Sequence, residues 1–463
     1  MKGRKLKLLV VLMTTMSLLA GCMGEKPVLE ELDGGKGTIK ILSDNEQWFY
    51  SQYGNTFKLK HPNIDFEIIS TKHHQRPDMT QDEREKLEKK LITEKKPDVL
   101  FLNQKIFSEF IQDGKLYNLE PVIKQEQFDL QGYMPGFIDM LREMGSGSIY
   151  GLTPEINTQV IYYNADLFKK QGIDLPQNKM TWSDLLALSA RFNSSGTNSK
   201  DKIVGFSEEG YRGKAELLFK MAATAGLTPL DSKGETIQIQ TESWKKVMTT
   251  ATEAFRNNSV YTAPDEKNID MLMERGNKFA EGKAAMMMSY PYYARSIDDM
   301  KYYDKKAKEF EWGMVTAPID PAAPDESAFT NLDTILAISK DATNKRAAWE
   351  FVKFVNGIEM AQATSRSSFG SLPTRNQFYK EISGKSTDVF YALKPKANGQ
   401  NSWYSSVPWK FSQKFFDIIN EHMQAVIDKK KTVDQALAEI QQKAQAELKL
   451  ARDQEKADKK DTK

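Results

Sequence analysis

The sequence predicts an exported α/β protein built around two or more apolar cores. Three observations point there: strands alternate with helices from Thr38 onward, the start is basic and then apolar, and 463 residues carry one cysteine. With no disulfide available, apolar packing alone must hold the fold, and a chain this long exceeds what one core sustains.

Lys2, Arg4, Lys5 and Lys7 precede a nearly unbroken apolar run from Leu8 to Leu19. That is the pattern of an export signal, residues 1–21. The run is about a dozen residues, short of the roughly 20 that a membrane-crossing helix requires. Leu19-Ala20-Gly21-Cys22 then sets small residues just before the lone cysteine. An unpaired cysteine is commonly a buried thiol, but between an export segment and a polar spacer there is nothing to bury it. The four residues resemble the lipobox of bacterial lipoproteins. That resemblance implies cleavage before Cys22, a diacylglycerol on its sulfur and a place on the outer face of the cell membrane. Two acyl chains anchor stably where one binds only marginally. Removing residues 1–21 takes away four positive charges and no negative one, so the formal charge of +2 becomes −2. Basic and acidic residues are interspersed along the chain, which argues against nucleic acid as a partner.

Residues 22–37 lack an apolar period and contain Gly34-Gly35, as a flexible linker would. Thr38 to Leu42 then reads as a strand, Glu46 to Lys60 as a helix, Ile64 to Ser70 as a strand, Glu83 to Lys95 as a helix and Asp98 to Leu102 as a strand. Such alternation predicts a parallel sheet covered on both faces. A second set follows Tyr150: a strand from Thr158 to Tyr163, a helix from Ala165 closed by Gly172, and a Leu-rich helix opened by a capping box at Thr181 and Asp184. Asp341 is expected to start a helix with Ala348, Phe351, Val352 and Val355 on one face and Asn356-Gly357 at its end. Thr432 and Gln435 cap a last helix, with Val433, Ala436, Leu437 and Ile440 inward. Residues 451–463 offer no large apolar side chain and are expected to fray as a charged, flexible tail.

The imidazoles are His61, His73, His74 and His422, and the one adjacent pair would point to opposite faces of a strand. No metal site, phosphate-binding glycine loop or nucleophile elbow is legible. Carboxylates are plentiful, but sequence alone does not set two of them ~5 to 9 Å apart across a glycosidic bond. Aromatic residues are more informative. Trp48-Phe49-Tyr50, Tyr290-Pro291-Tyr292-Tyr293, and Trp403-Tyr404 with Trp409 lack helical core spacing and have polar neighbours. Flat aromatic faces edged with hydrogen-bonding groups suit a sugar ring. The plainer reading of any one of them is a partly buried loop aromatic. Trp182 and Trp349, at a helix start and beside an apolar helix face, are expected in the core.

The stretch YGLTPEINTQVIYYNADLFKKQGIDLPQNKMTWSDLLALSARF, residues 150–192, resembles the family 1 extracellular solute-binding proteins of ABC importers, the group that includes the maltodextrin binders. Lys96-Pro97-Asp98-Val99, Phe279 to Met286, Lys345 to Val355 and Thr432 to Leu437 resemble further stretches of that family in the same order. The resemblance implies a two-lobed periplasmic-binding-protein-like fold of type II, each lobe a sheet flanked by helices, joined by a three-crossing hinge. Carried over, the N-terminal lobe takes residues 38–150 plus 287–330 and the C-terminal lobe 151–286 plus 331–450, with crossings near Gly151 to Asn157, Ala284 to Met288 and Asn331 to Ala337.

Under the same resemblance Tyr292 falls where the family often stacks an aromatic on a sugar, with Tyr290 beside it. Asn157 and Glu155 lie at the first crossing. Asp44, Asn45 and Glu46 follow the first strand and Asn103 and Gln104 the third, at carboxyl ends where open parallel sheets bind ligands. Relatives often carry Gly-Gly near the third crossing. Here Asn331 and Asp333 stand in that corner as candidate contacts. Trp403 and Trp409 are candidates for a stacking face from the second lobe. The expected protein is a monomeric receptor without cofactor. It takes a carbohydrate ligand and works with an ABC permease and its cytoplasmic ATPase. The alternatives are a surface glycoside hydrolase, or the same fold holding a peptide, polyamine or organic anion.

Overall fold

A computed structural model describes residues 28–43, 45–74, 79, 81–192, 203–208, 213–231, 233–262, 277–297, 299–303, 306–332, 334–365, 371–396, 403 and 407–461. The export signal and Cys22 lie outside them, as do Asp44 and Asp333.

The first lobe is organised by a five-stranded sheet. Its strands are β1 (Gly37–Ser43), β2 (Ile64–Ser70), β3 (Val99–Leu102), β4 (Gly151–Leu152) and, from far along the chain, β13 (Ile335–Ile338), in the order β2-β1-β3-β13-β4. β1 runs parallel to β2 and β3, and β13 is antiparallel to β3, with Ile335 opposite Leu102. Edge strand β2 buries only Ile64, whereas all four residues of β13 are buried. An unbroken apolar run such as Ile335-Leu-Ala-Ile338 marks a strand covered on both faces. One cover is aromatic: Phe49 and Phe57 reach Phe351 of the helix Lys345–Val355 at ring separations of 5.7 and 5.3 Å.

The second lobe repeats the plan with β6 (Val160–Asn164), β7 (Val204–Glu208), β8 (Val260–Thr262), β9 (Ala284–Ser289) and β10 (Trp312–Thr316), ordered β10-β6-β9-β7-β8. β7 is parallel to β8 and β9, and β6 is antiparallel to β9 and β10. Every residue of β9 is buried. Its methionines alternate: Met286 and Met288 join the second core with Phe206, and Met287 joins the first, with Tyr162 and Tyr293. That alternation follows from the two-residue period of a strand.

Between the lobes, β5 (Glu155–Thr158) pairs with β12 (Thr330–Asn331) on one side and β14 (Leu372–Pro373) on the other. These three strands are the hinge. Close packing at its entry requires Gly151, where an added Cβ would sit 2.7 Å from Ile335 Cγ2 and 2.8 Å from Phe107 Cε2. The third strand is pinned by Thr374, whose hydroxyl donates to the Thr153 carbonyl at 2.8 Å. Arg375 follows, buried, donating to Asp129 and to the Asn356 carbonyl at 2.7 and 2.9 Å, with its guanidinium over the Tyr133 ring.

Five expectations need correction. The segment 287–330 does not belong to the first lobe, because β10 and the end of β9 pair with β6 in the second. Within 331–450, β13 and the helix Lys345–Val355 belong to the first lobe, where β13 fills the place between β3 and β4. One hinge crossing is therefore Leu372–Pro373 rather than Ala284 to Met288, which form a central strand. The remaining differences are local. Asn344, not Asp341, caps the helix Lys345–Val355, accepting from the Ala347 N–H at 3.0 Å. The last helix runs Val433–Asp461, well into the segment expected to fray. Ala451 is buried against the second core and Arg452 donates to the Gly234 carbonyl, while the Ala, Glu, Lys and Gln of this stretch are strong helix formers.

Candidate functional site

In the first lobe a cavity of about 270 Å³ opens at the carboxyl ends of the parallel strands. Ser43, Thr71 and Asn103, from the ends of β1, β2 and β3, line it with Trp48, Arg84 and Thr334. Trp48 is held edge-on against Tyr53 and Phe101, with ring centroids 5.9 and 6.4 Å away, and stays 40 % exposed. A ring fixed in that way presents area at little entropic cost.

At the hinge, Asn331 stands opposite Asn157 in the antiparallel pairing of β12 with β5. Its side-chain amide donates to the Tyr290 hydroxyl at 3.1 Å. Two residues, three steps of chain spanning roughly 10 Å at most, separate Asn331 from Thr334 on the first-lobe cavity. Burial, reinforced by the Glu155 carboxylate, pushes the phenols of Tyr53 and Tyr391 well above their usual range, so both stay neutral hydrogen-bonding groups.

The second lobe contributes the chain just after β9. Tyr290 precedes the helix Pro291–Ser296, and its carbonyl accepts from the Tyr162 hydroxyl at 2.9 Å. The Tyr290 and Tyr292 rings lie 6.1 Å apart and only 24° from parallel, with Tyr292 53 % exposed. Pro291 fixes the backbone between them, so the two rings form a pre-set platform.

The structure thus brings Tyr290, Tyr292, Asn331 and Asn157 together, with Glu155 on the same hinge strand. Asn45 and Asn103 serve first as helix caps, accepting from the Trp48 and Ile106 N–H groups at 2.7 and 2.9 Å. Only Asn103 of the two lines the cavity. Glu46 is exposed and Gln104 half-buried, each the first residue of its helix. Trp403 is a correction: it is buried in the second core, 5.0 Å from the Phe219 ring and 5.4 Å from Phe415, so its faces are covered. Trp409 begins the helix Trp409–Ile427 and does not line the cavity. Ser43, Thr71, Arg84 and Thr334 escaped sequence reasoning. The strand-end rule that selected Asn103 would have reached the first two. Among the described residues no helix is long and apolar enough to cross a membrane.

A two-lobed α/β protein with its polar and aromatic residues gathered at a three-strand hinge is a solute-binding scaffold. The chain belongs to the bacterial extracellular solute-binding proteins, whose family model matches residues 72–390. A binding protein of Brucella abortus is 23 % identical over 365 residues, covering 76 % of this chain and 80 % of its own length. Over 70 residues, 15 % of this chain and 16 % of the relative, the sn-glycerol-3-phosphate-binding periplasmic protein of Shigella flexneri is 36 % identical. Among solved structures, a Rhizobium etli sugar transporter in an open conformation superposes with a TM-score of 0.63 at 19 % identity, covering 88 % of this chain and 99 % of that one. A family 1 extracellular solute-binding protein of Bifidobacterium longum superposes at 0.60 with 17 % identity, covering 89 % of this chain and 99 % of that one. The fold is the one these proteins share.

Proposed function

We propose that this protein is the receptor of an ABC importer, lipid-anchored through Cys22, that captures a sugar or oligosaccharide between its lobes and hands it to the membrane permease. The observation that carries the reading is the Tyr290–Tyr292 platform tied to the hinge by Asn331. Stacked rings beside amide and hydroxyl groups match the apolar faces and hydroxyl rim of a pyranose. Two proteins of similar fold lean the same way, one with bound maltose and one with bound D-mannitol. Ligand favours a closed form only by touching both lobes, so the platform and the Trp48 cavity are both part of the site.

A phosphorylated polyol is a second reading, favoured by the 70-residue likeness to a glycerol-phosphate binder and by Arg84 on the cavity wall. A glycoside hydrolase is disfavoured by family and fold. Calorimetry of the mature protein against mono- and oligosaccharides, with glycerol 3-phosphate in the same panel, tests the choice. Saturable heat with a saccharide supports the reading. Heat with the phosphate alone, or steady release of reducing ends from an oligosaccharide, overturns it.

A further inference from the structure

At the passage from the hinge to the second lobe stands a buried amide, Gln159. It is the one residue between β5 and β6, and its backbone N–H donates to the Phe329 carbonyl at 3.1 Å. β6 pairs Val160 with Ser289 of β9, and Tyr290 keeps an extended backbone at φ −85° and ψ 169°. The antiparallel register therefore runs one step further and sets Gln159 opposite Tyr290. Residues opposed in this way have Cβ atoms about 5 Å apart. Alternation turns Gln159 to the face of Ile161, Met288 and Phe329. The residue is 8 % exposed, and among the described residues its Oε1 has no hydrogen-bond partner. Phe329 beside it is wholly buried and has no polar side-chain atom to offer. Lys220, on which the Tyr290 phenol acts, is held by Glu208, with Nζ 2.9 Å from both carboxylate oxygens.

A buried amide oxygen without a partner bears its full desolvation cost, which an apolar side chain of the same shape would not. Stability alone therefore gives no reason for glutamine at this position, and a ligand on the neighbouring platform does. We propose that Gln159 is a ligand contact and specificity determinant, its amide hydrogen-bonding the hydroxyl edge of a solute stacked on Tyr290 and Tyr292. This rests on the reading that the platform is the binding surface, and it adds that the solute must bring a hydrogen-bond donor. An amide presents an acceptor at one end and two donors at the other, and its terminal torsion is broad, so a turn about it brings either end to the ligand. Neighbouring hydroxyls of a saccharide, each donor and acceptor at once, satisfy both ends. A dianionic phosphate offers acceptors alone and leaves the Gln159 oxygen without a partner.

The test is calorimetry and thermal unfolding of the mature wild type and the Gln159→Met variant, with D-glucose, maltose, maltotriose, D-mannitol and glycerol 3-phosphate as probes. Methionine keeps the shape and removes both polar ends. The variant is expected to melt no lower than wild type, since the orphaned oxygen is gone, and to bind the probe that wild type takes about tenfold more weakly. Monodeoxy analogues of that probe locate the contact: one of them should lose about tenfold against wild type and nothing further against Gln159→Met. Unchanged affinity in the folded variant overturns the proposal. So does an equal loss for every analogue in both proteins, as a merely displaced platform would give. Should the methionine variant not fold, Gln159→Asn, which withdraws the amide by one methylene, serves the same comparison. Binding of glycerol 3-phosphate alone overturns the sugar reading, and the Gln159 contact then stands or falls by whether the variant weakens that probe. Silence of wild type toward all five probes overturns both.

Discussion

In the first lobe the carboxyl end of the sheet is finished by helix caps, Asn45 and Asn103, whose oxygens accept from backbone N–H groups. In the second lobe it is finished by Tyr290-Pro291-Tyr292, with its two near-parallel rings. The first lobe offers a small cavity walled by side chains that also hold up its helices. The second offers a pair of aromatic rings whose polar support comes from Asn331 at the hinge and from the Tyr162 hydroxyl. Under the proposed reading the contrast divides recognition: stacking energy would come from one lobe and the shape and hydrogen bonding of a socket from the other, so that only a ligand spanning both favours closure.

The largest expected effect is on stability. Glu208→Ala leaves Lys220 charged and buried, and breaking a buried pair by removing one partner costs about 3–5 kcal/mol. Urea unfolding should show that loss, and a change within error would mean that the pair is more hydrated than its 4 % and 2 % exposure implies. Next comes binding. Tyr292→Ala should weaken the ligand by about 1–3 kcal/mol, by analogy with bases stacked on aromatic side chains. Because Tyr292 is 53 % exposed, its melting temperature should barely move. Unchanged affinity in calorimetry would take Tyr292 out of the site.

Smaller still is the first-lobe counterpart. Asn45→Ala removes a cap and should cost about 1 kcal/mol of stability, visible in thermal unfolding with affinity unchanged. A loss of affinity without loss of stability would restore Asn45 as a ligand contact. The lobes should also part in acid. His422 is buried in the second lobe, and burial together with the Lys431 and Lys443 ammoniums holds its pKa below the ordinary value, with Glu421 and Glu439 opposing. The unfolded chain then takes the proton more readily, so this stability is complete above about pH 6.5 and fades as the pH falls below it. In the first lobe burial raises the Glu126 carboxyl, but Lys353, Trp349 and Arg346 more than offset it and hold it low. That contribution is present above about pH 4.3 and is lost only on further acidification. Hydrogen exchange, corrected for its intrinsic rate, should therefore loosen residues 409–427 before 345–355 between pH 7 and 5. The reverse order would contradict the assignment.

Local order was legible in the sequence. The strand Ile64–Ser70 falls on its predicted bounds, and the Thr181–Asp184 capping box forms as expected. What the chain hides is long-range pairing. Ile335-Leu-Ala-Ile338 announces a buried strand, but its sheet is decided by β3, more than 230 positions earlier in the chain. The same holds for the site. Tyr290 and Tyr292 could be picked from their loop and their resemblance, whereas Trp403 looked alike and proved to be packed among Phe219, Phe415 and Phe416. Lys220 and Glu208 escaped sequence reasoning, since nothing in their neighbours reveals that a helix brings them together as a buried pair.

Small-angle scattering of the mature protein, titrated with the saccharide that calorimetry shows to bind, tests the central claim most directly. A ligand gripped from both lobes should reduce the radius of gyration in step with occupancy, and Tyr292→Ala should shift the transition to higher concentration. A profile that stays the same from empty to saturated protein would contradict closure around a shared ligand.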